Sequence, residues 1–89
     1  MQGTDVVPSR ASDVVWRKMG EETVLLSAKS ENYYSLNEVG TRIWELIDGQ
    51  ATAGEIASRI AEEYDAPAEQ VEQDVVALLH ELREQGLVV

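Results

Sequence analysis

The hydrophobic period of this chain changes once, at Leu36, and that change limits what it can fold into. Up to Leu36 the apolar residues alternate in short β-branched and aromatic runs: "DVVWRKM" at 13–19, "TVLLSA" at 23–28 and "YYSL" at 33–36. Alternation of this kind predicts half-buried strands. "GEE", led by Gly20, and "KSEN" are turns, too short for anything but antiparallel neighbours. From Leu36 onward the spacing becomes helical: Leu36, Val39, Ile43, Leu46 and Ile47 recur at three and four residues. A meander of three strands followed by helices predicts a small α+β domain with the helices packed on one face of the sheet.

Three helices fit the remainder. The first spans about 37–48, with Asn37 or a Ser35–Glu38 capping box at its start and Gly49 as its left-handed stop. Thr52 and Glu55 form a second box that opens a helix at 53–64, where Ile56, Ala57, Ile60, Ala61 and Tyr64 share a face. The third runs from Pro67 to Gln85, and Gly86 with Leu87 supplies a Schellman stop contacting Leu82. "LVV" closes the chain as a short extended segment, and residues 1–12 read as a flexible tail with a strand-like "DVVP". The shape expected is a three-helix cluster with a β-wing, a single winged-helix-like domain over 13–89.

Charge and composition exclude several classes of function. The net charge is −10, the seven Lys and Arg residues are scattered, and the stretch from Glu62 to Asp74 holds six acids and no base. Such a surface repels a phosphate backbone, so no nucleic-acid partner is expected. With no cysteine in 89 residues there is no disulfide and no thiolate chemistry. No apolar run is long enough to span a membrane and no signal peptide opens the chain, so a cytoplasmic protein is expected. The single histidine, His80, falls on the polar side of the third helix, and the glycines at 20, 40, 49, 54 and 86 are isolated. No metal, cofactor or catalytic constellation follows from these residues. Of the two tryptophans, Trp44 fits the core best.

The third helix carries more apolar surface than one core stripe requires. Ala68, Val71, Val75, Leu78 and Leu82 make that stripe. Leu79 lies at its edge and Val76 outside it, on a flank continued by Glu72 and Arg83 with Glu69 and His80 beyond. Two readings are open: these residues pack beneath the wing or the tail, or they form one wall of a groove. Strand three would be the other wall. As the outer strand of a meander it leaves one side of its backbone unpaired from Asn32 through Tyr33, Tyr34 and Ser35 to Leu36, guarded by Glu31 alone. Tyr34 and Leu36 face the core by alternation, and Tyr33 and Ser35 point away.

The run "YYSLNEVGTRIWELIDG", the Thr-x-x-Glu helix and "EEYDAPAEQVEQDVVALLHELREQGLV" together resemble the pyrroloquinoline quinone biosynthesis protein D family over about residues 14–88. The matching positions include Tyr34, Leu36, Asn37, Gly40, Ile43, Trp44, Gly49, Ile56, Tyr64, Asp74, Leu78, Leu82 and Gly86. That family typifies the recognition element for ribosomally synthesised, post-translationally modified peptides. The resemblance implies a domain without chemistry or cofactor that binds the leader segment of a precursor peptide. The leader would add as a strand along Glu31 to Leu36 and lie against a helical wall of Glu69, Glu72, Gln73, Val76, Leu79, His80 and Arg83. A separate chain of this size is similar to the recognition proteins of lasso-peptide pathways, which hand the precursor to a cysteine leader peptidase and then a cyclase. The same module serves radical SAM enzymes. A winged-helix DNA-binding regulator is the alternative that the fold would permit and the charge opposes.

Overall fold

The computed structural model describes residues 3–29 and 31–89; Met1 and Gln2 of the expected tail, and Ser30 of the second turn, lie outside the described residues. Strands β1 (Val14–Met19), β2 (Glu22–Ser27) and β3 (Tyr33–Leu36) form one antiparallel sheet in the order β1-β2-β3. Helices α1 (Glu38–Leu46), α2 (Ala53–Tyr64) and α3 (Ala68–Glu84) follow. The three-strand, three-helix order expected from the period change is therefore present. Register places Trp16, Leu25 and Tyr34 in one row and Lys18, Thr23 and Leu36 in the next, all on the helix-facing side. Leu25 and Leu36 on that side are buried against Ile43, Trp44, Ile47, Ile56, Ile60, Val75 and Leu82.

The helix ends follow local chemistry. Asn37, rather than a Ser35–Glu38 box, caps α1: its Oδ1 accepts from Gly40 N–H at 2.9 Å. The helix stops at Leu46, earlier than expected, because Asp48 Oδ1 accepts from both Gln50 and Ala51 N–H at 2.9 Å. That turn draws Gly49 into positive φ, which only glycine adopts at low cost. The Thr52–Glu55 box forms in both directions at the start of α2. At the end of α3, Leu87 N–H donates to Leu82 O (2.9 Å) and Gly86 N–H to Arg83 O (3.0 Å), the two bonds of a Schellman motif.

The N-terminal segment is not a free tail. Ser9 and Val89 exchange backbone bonds (3.1 and 2.8 Å), and Ala11 N–H donates to Leu87 O at 3.0 Å. Val6 O accepts from Ala53 N–H at 2.8 Å, meeting one of the orphan donors at the start of α2. Pro8 is fully buried. Arg10 then inserts beside both tryptophans, its guanidinium 5.1 Å from the Trp16 ring and 4.9 Å from the Trp44 ring, and donates to Trp44 O at 2.8 Å. Desolvation lowers the Arg10 pKa against the pull of Glu45 and Asp48. Residues 6–11 and 87–89 thus form a strap over one side of the helical layer.

Candidate functional site

Strand β3 is an outer strand, and no described strand pairs along its far side. Its hairpin with β2 closes through a bulge: Ser27 N–H donates to Asn32 O (2.9 Å), Glu31 N–H donates to Ser27 O (2.8 Å), and Glu31 sits at φ 63°. Bonded pairs alternate along an antiparallel ladder, so after Ser27–Asn32 they fall at Leu25–Tyr34 and Thr23–Leu36. The backbone N–H and C=O of Tyr33 and Ser35 therefore point to the vacant side. Two residues expose two donors and two acceptors to whatever lies beside them.

Beneath that edge runs a groove lined by Tyr34, Ser35, Leu36, Asn37, Val39, Gly40, Ile43, Asp74 and Leu78. Its floor is apolar, from buried Leu36 and Ile43 and half-buried Leu78. Gly40 keeps it open, since a Cβ there would come 3.2 Å from the Leu36 side chain. Tyr34 OH donates to the Glu81 carboxylate, which fixes β3 to α3 at one end of the groove. That hydrogen bond, with burial and the negative charge of Glu81 as smaller causes, raises the Tyr34 pKa above its ordinary value. The arrangement is a strand edge beside an apolar trough, which suits capture of an extended peptide. Among the described residues no group of three or more His, Cys, Asp or Glu is placed to hold a metal ion, and no helix is long and apolar enough to cross a membrane.

Of the expected site residues, the structure brings Tyr34, Ser35 and Leu36 to this groove, with Tyr33 on the same strand, Asn32 just before it and Glu31 at its bulge. The residues expected as its helical wall do not line this groove. Val76, Leu79, His80 and Arg83 line a separate cleft with Val6, Pro8, Val88 and Val89, under the strap. Glu72 lies with Thr4 and Asp5 near α2. Glu69 and Gln73 are exposed and line neither cleft. The α3 residues that line this groove are Asp74 and Leu78, and Glu81 bonds Tyr34 of β3. A helical wheel has two flanks beside its core stripe, and the direction in which the helix crosses the sheet decides which one faces the edge strand. Periodicity holds no information about that direction. The signal that existed was the presence of Asp74 and Leu78 among the family-matching positions.

The solvent side of the sheet is also apolar. Val15, Leu26 and Tyr33 stand side by side across the three strands and are 62%, 41% and 73% exposed. Met19 extends this face.

The family model for coenzyme PQQ synthesis protein D (PqqD) matches residues 22–88, three-quarters of the chain. The chain belongs to the PqqD family. It is 36% identical over 58 residues to a PqqA binding protein of Gluconobacter oxydans and 33% identical over 61 residues to one of Rhizobium meliloti. These matches cover 65% and 68% of this chain and 60% of each relative, so the chain spans about 60% of the length of those relatives. Among solved structures, TbiB1 in complex with the TbiA(beta) leader peptide superimposes with a TM-score of 0.83 at 31% identity, covering 90% of this chain and 93% of TbiB1. The PqqD truncation of Methylobacterium extorquens PqqCD, described as a functional and stand-alone RiPP recognition element, gives 0.80 at 26% identity over 99% of this chain and 93% of that one. A lasso peptide synthetase B1 complexed with its leader peptide has the same fold, with a TM-score of 0.83 at 21% identity, over 94% of this chain and 99% of that one.

Proposed function

We propose that this PqqD-family protein is an adaptor that binds the leader segment of a ribosomal precursor peptide and delivers it to a processing enzyme. The observation that carries the reading is the vacant β3 edge, with Tyr33 and Ser35 backbone groups turned outward above an apolar groove. An antiparallel leader strand would take up those groups and set alternate side chains into the groove. The residues proposed to bind it are Tyr33 to Leu36 of the strand, with Glu31 and Asn32 at its entrance and Asp74, Leu78 and Glu81 across from it. The relatives are described as binding proteins and as a recognition element, which supports a role without chemistry of its own.

The lasso pathway is the favoured setting, because the likeness to leader-bound TbiB1 spans nearly all of both chains. The processing enzyme would then be a cysteine leader peptidase acting before a cyclase. A PqqA-type precursor and a radical SAM partner form the second reading, supported by the 36% identity to a PqqA binding protein. Either enzyme would find the exposed Val15–Leu26–Tyr33 row continuous with the bound strand. A DNA-binding role is disfavoured by the net charge of −10.

Fluorescence anisotropy with labelled TbiA(beta) leader and labelled PqqA tests the proposal. Saturable binding of at least one is expected, weakened roughly tenfold or more in Ser35→Pro and Leu78→Asp variants that keep the wild-type circular dichroism. Failure of both peptides to bind, or unchanged affinity in both folded variants, contradicts it.

A further inference from the structure

We infer that the groove selects a peptide in which an aliphatic side chain is followed or preceded, two residues away, by a lysine or arginine, and that Asp74 is the residue selecting the cation. The inference rests on the strand-addition reading above and deepens it. Residues directly opposed across an antiparallel ladder share a face. Peptide residues opposite Tyr34 and Leu36 would therefore point into the groove, about 7 Å apart along the strand.

The groove offers these two side chains different chemistry. Leu36, Gly40, Ile43 and Leu78 make an apolar floor with room kept open by the glycine. Asp74 is the one charged residue of the lining, and no Lys or Arg lines it. Its Oδ1 accepts from Gln70 Nε2 at 3.1 Å, and it forms no ion pair with a described cation. At one end of the groove, the other nearby carboxylate, Glu81, is already bonded to Tyr34 OH. Arg83, the base on the same helix, faces the strap cleft instead. A lysine or arginine can lay its methylenes along Leu78 and bring its charge to Asp74. An acidic residue in that place would meet an unopposed carboxylate, so the groove discriminates by repulsion as well as attraction.

The test is selection of a random-sequence peptide library displayed on phage against the full chain. Selected peptides are then made synthetically, each with a norleucine analogue of its basic residue. Binding is measured to the wild type and to Asp74→Asn, an exposed and isosteric change that circular dichroism checks for folding. Amide chemical shifts of Tyr33 and Ser35 report whether a peptide sits on the β3 edge. Expected are edge-bound peptides enriched in Lys or Arg two residues from an aliphatic side chain. Asp74→Asn should weaken them about threefold to tenfold while leaving the norleucine analogues unchanged. Edge-bound peptides without basic enrichment, or an Asp74→Asn loss equal for both peptide types, overturn the role of Asp74 and leave the adaptor reading standing. Absence of any peptide that moves the Tyr33 and Ser35 amides overturns both.

Discussion

The two flanks of α3 carry similar residues and have different fates. One flank, with Val76, Leu79 and Arg83, shares a cleft with Val6, Pro8, Val88 and Val89 of the strap. The other, with Asp74, Leu78 and Glu81, borders the open edge of β3. Both pair aliphatic side chains with charged ones. The flanks differ in what the chain lays against them: on one side its own two ends, bonded to each other through Ser9, Ala11, Leu87 and Val89, and on the other a short strand with one side vacant. In the strap, Ser9 and Val89 bond each other and Ala11 bonds Leu87, whereas the register turns the backbone groups of Tyr33 and Ser35 to the vacant side of β3.

Substitutions can break this contrast at several strengths. The largest effect is expected at the stripe shared by both flanks. Leu82 is fully buried, and Leu82→Ala should cost about 2–5 kcal/mol in urea unfolding and undermine both sides together. Next comes the backbone of β3. Tyr34→Pro removes an N–H that the register assigns to the ladder with Leu25 and should destabilise the fold by about 1–3 kcal/mol. Ser35→Pro removes an outward N–H and should leave stability nearly unchanged while abolishing most peptide affinity. Equal stability losses in the two proline variants would mean the outward assignment is wrong.

A further contrast separates the flanks themselves. Leu79 is only 9% exposed under the strap, so Leu79→Asp should destabilise by about 2–4 kcal/mol yet leave the peptide affinity of the folded fraction intact. Leu78→Asp should do the reverse, with a minor stability change and a loss of binding by anisotropy. The smallest effect is electrostatic. Hydrogen bonds from Arg42 hold the Glu63 carboxyl below its ordinary value of 4.5, and those from Lys18 and then Arg42 do the same for Glu45. A carboxylate with a depressed native pKa stabilises the fold above its unfolded value, so this contribution is complete above 4.5 and declines as pH falls through that range. Arg42→Met should flatten the acid limb of the stability profile. Tyr34 acts at the opposite end: its raised native pKa means its contribution is lost as pH rises above the ordinary tyrosine value of 10.0.

Much of the fold was legible because it rests on local chemistry. The change of period at Leu36 separates sheet from helices, and the Thr52–Glu55 box fixes the start of α2 at Ala53. The Gly86–Leu87 stop is readable for the same reason, since a left-handed glycine and its hydrophobic contact are sequence-local. The end of α1 was less legible, because Asp48 bonding forward to Gln50 and Ala51 competes with continued helix. The strap left only a faint signature, the strand-like "DVVP" and the closing "LVV": its bonds join backbone groups of Ser9 and Ala11 to those of Val89 and Leu87, a long-range pairing that no local motif announces. The strand half of the candidate site could be read from the exposed end of a meander. The helical half could not, because Leu78 and Leu79 are neighbours in sequence and only the crossing direction of α3 sends one to the β3 groove and the other to the strap.

The most direct test is amide hydrogen exchange with and without saturating TbiA(beta) leader or PqqA, whichever binds. Occupation of the β3 edge predicts that the Tyr33 and Ser35 amides slow markedly on binding while those around Val76 and Leu79 keep their free rates. Protection that appears at the strap cleft, with Tyr33 and Ser35 exchanging as fast as in the free protein, would contradict the account.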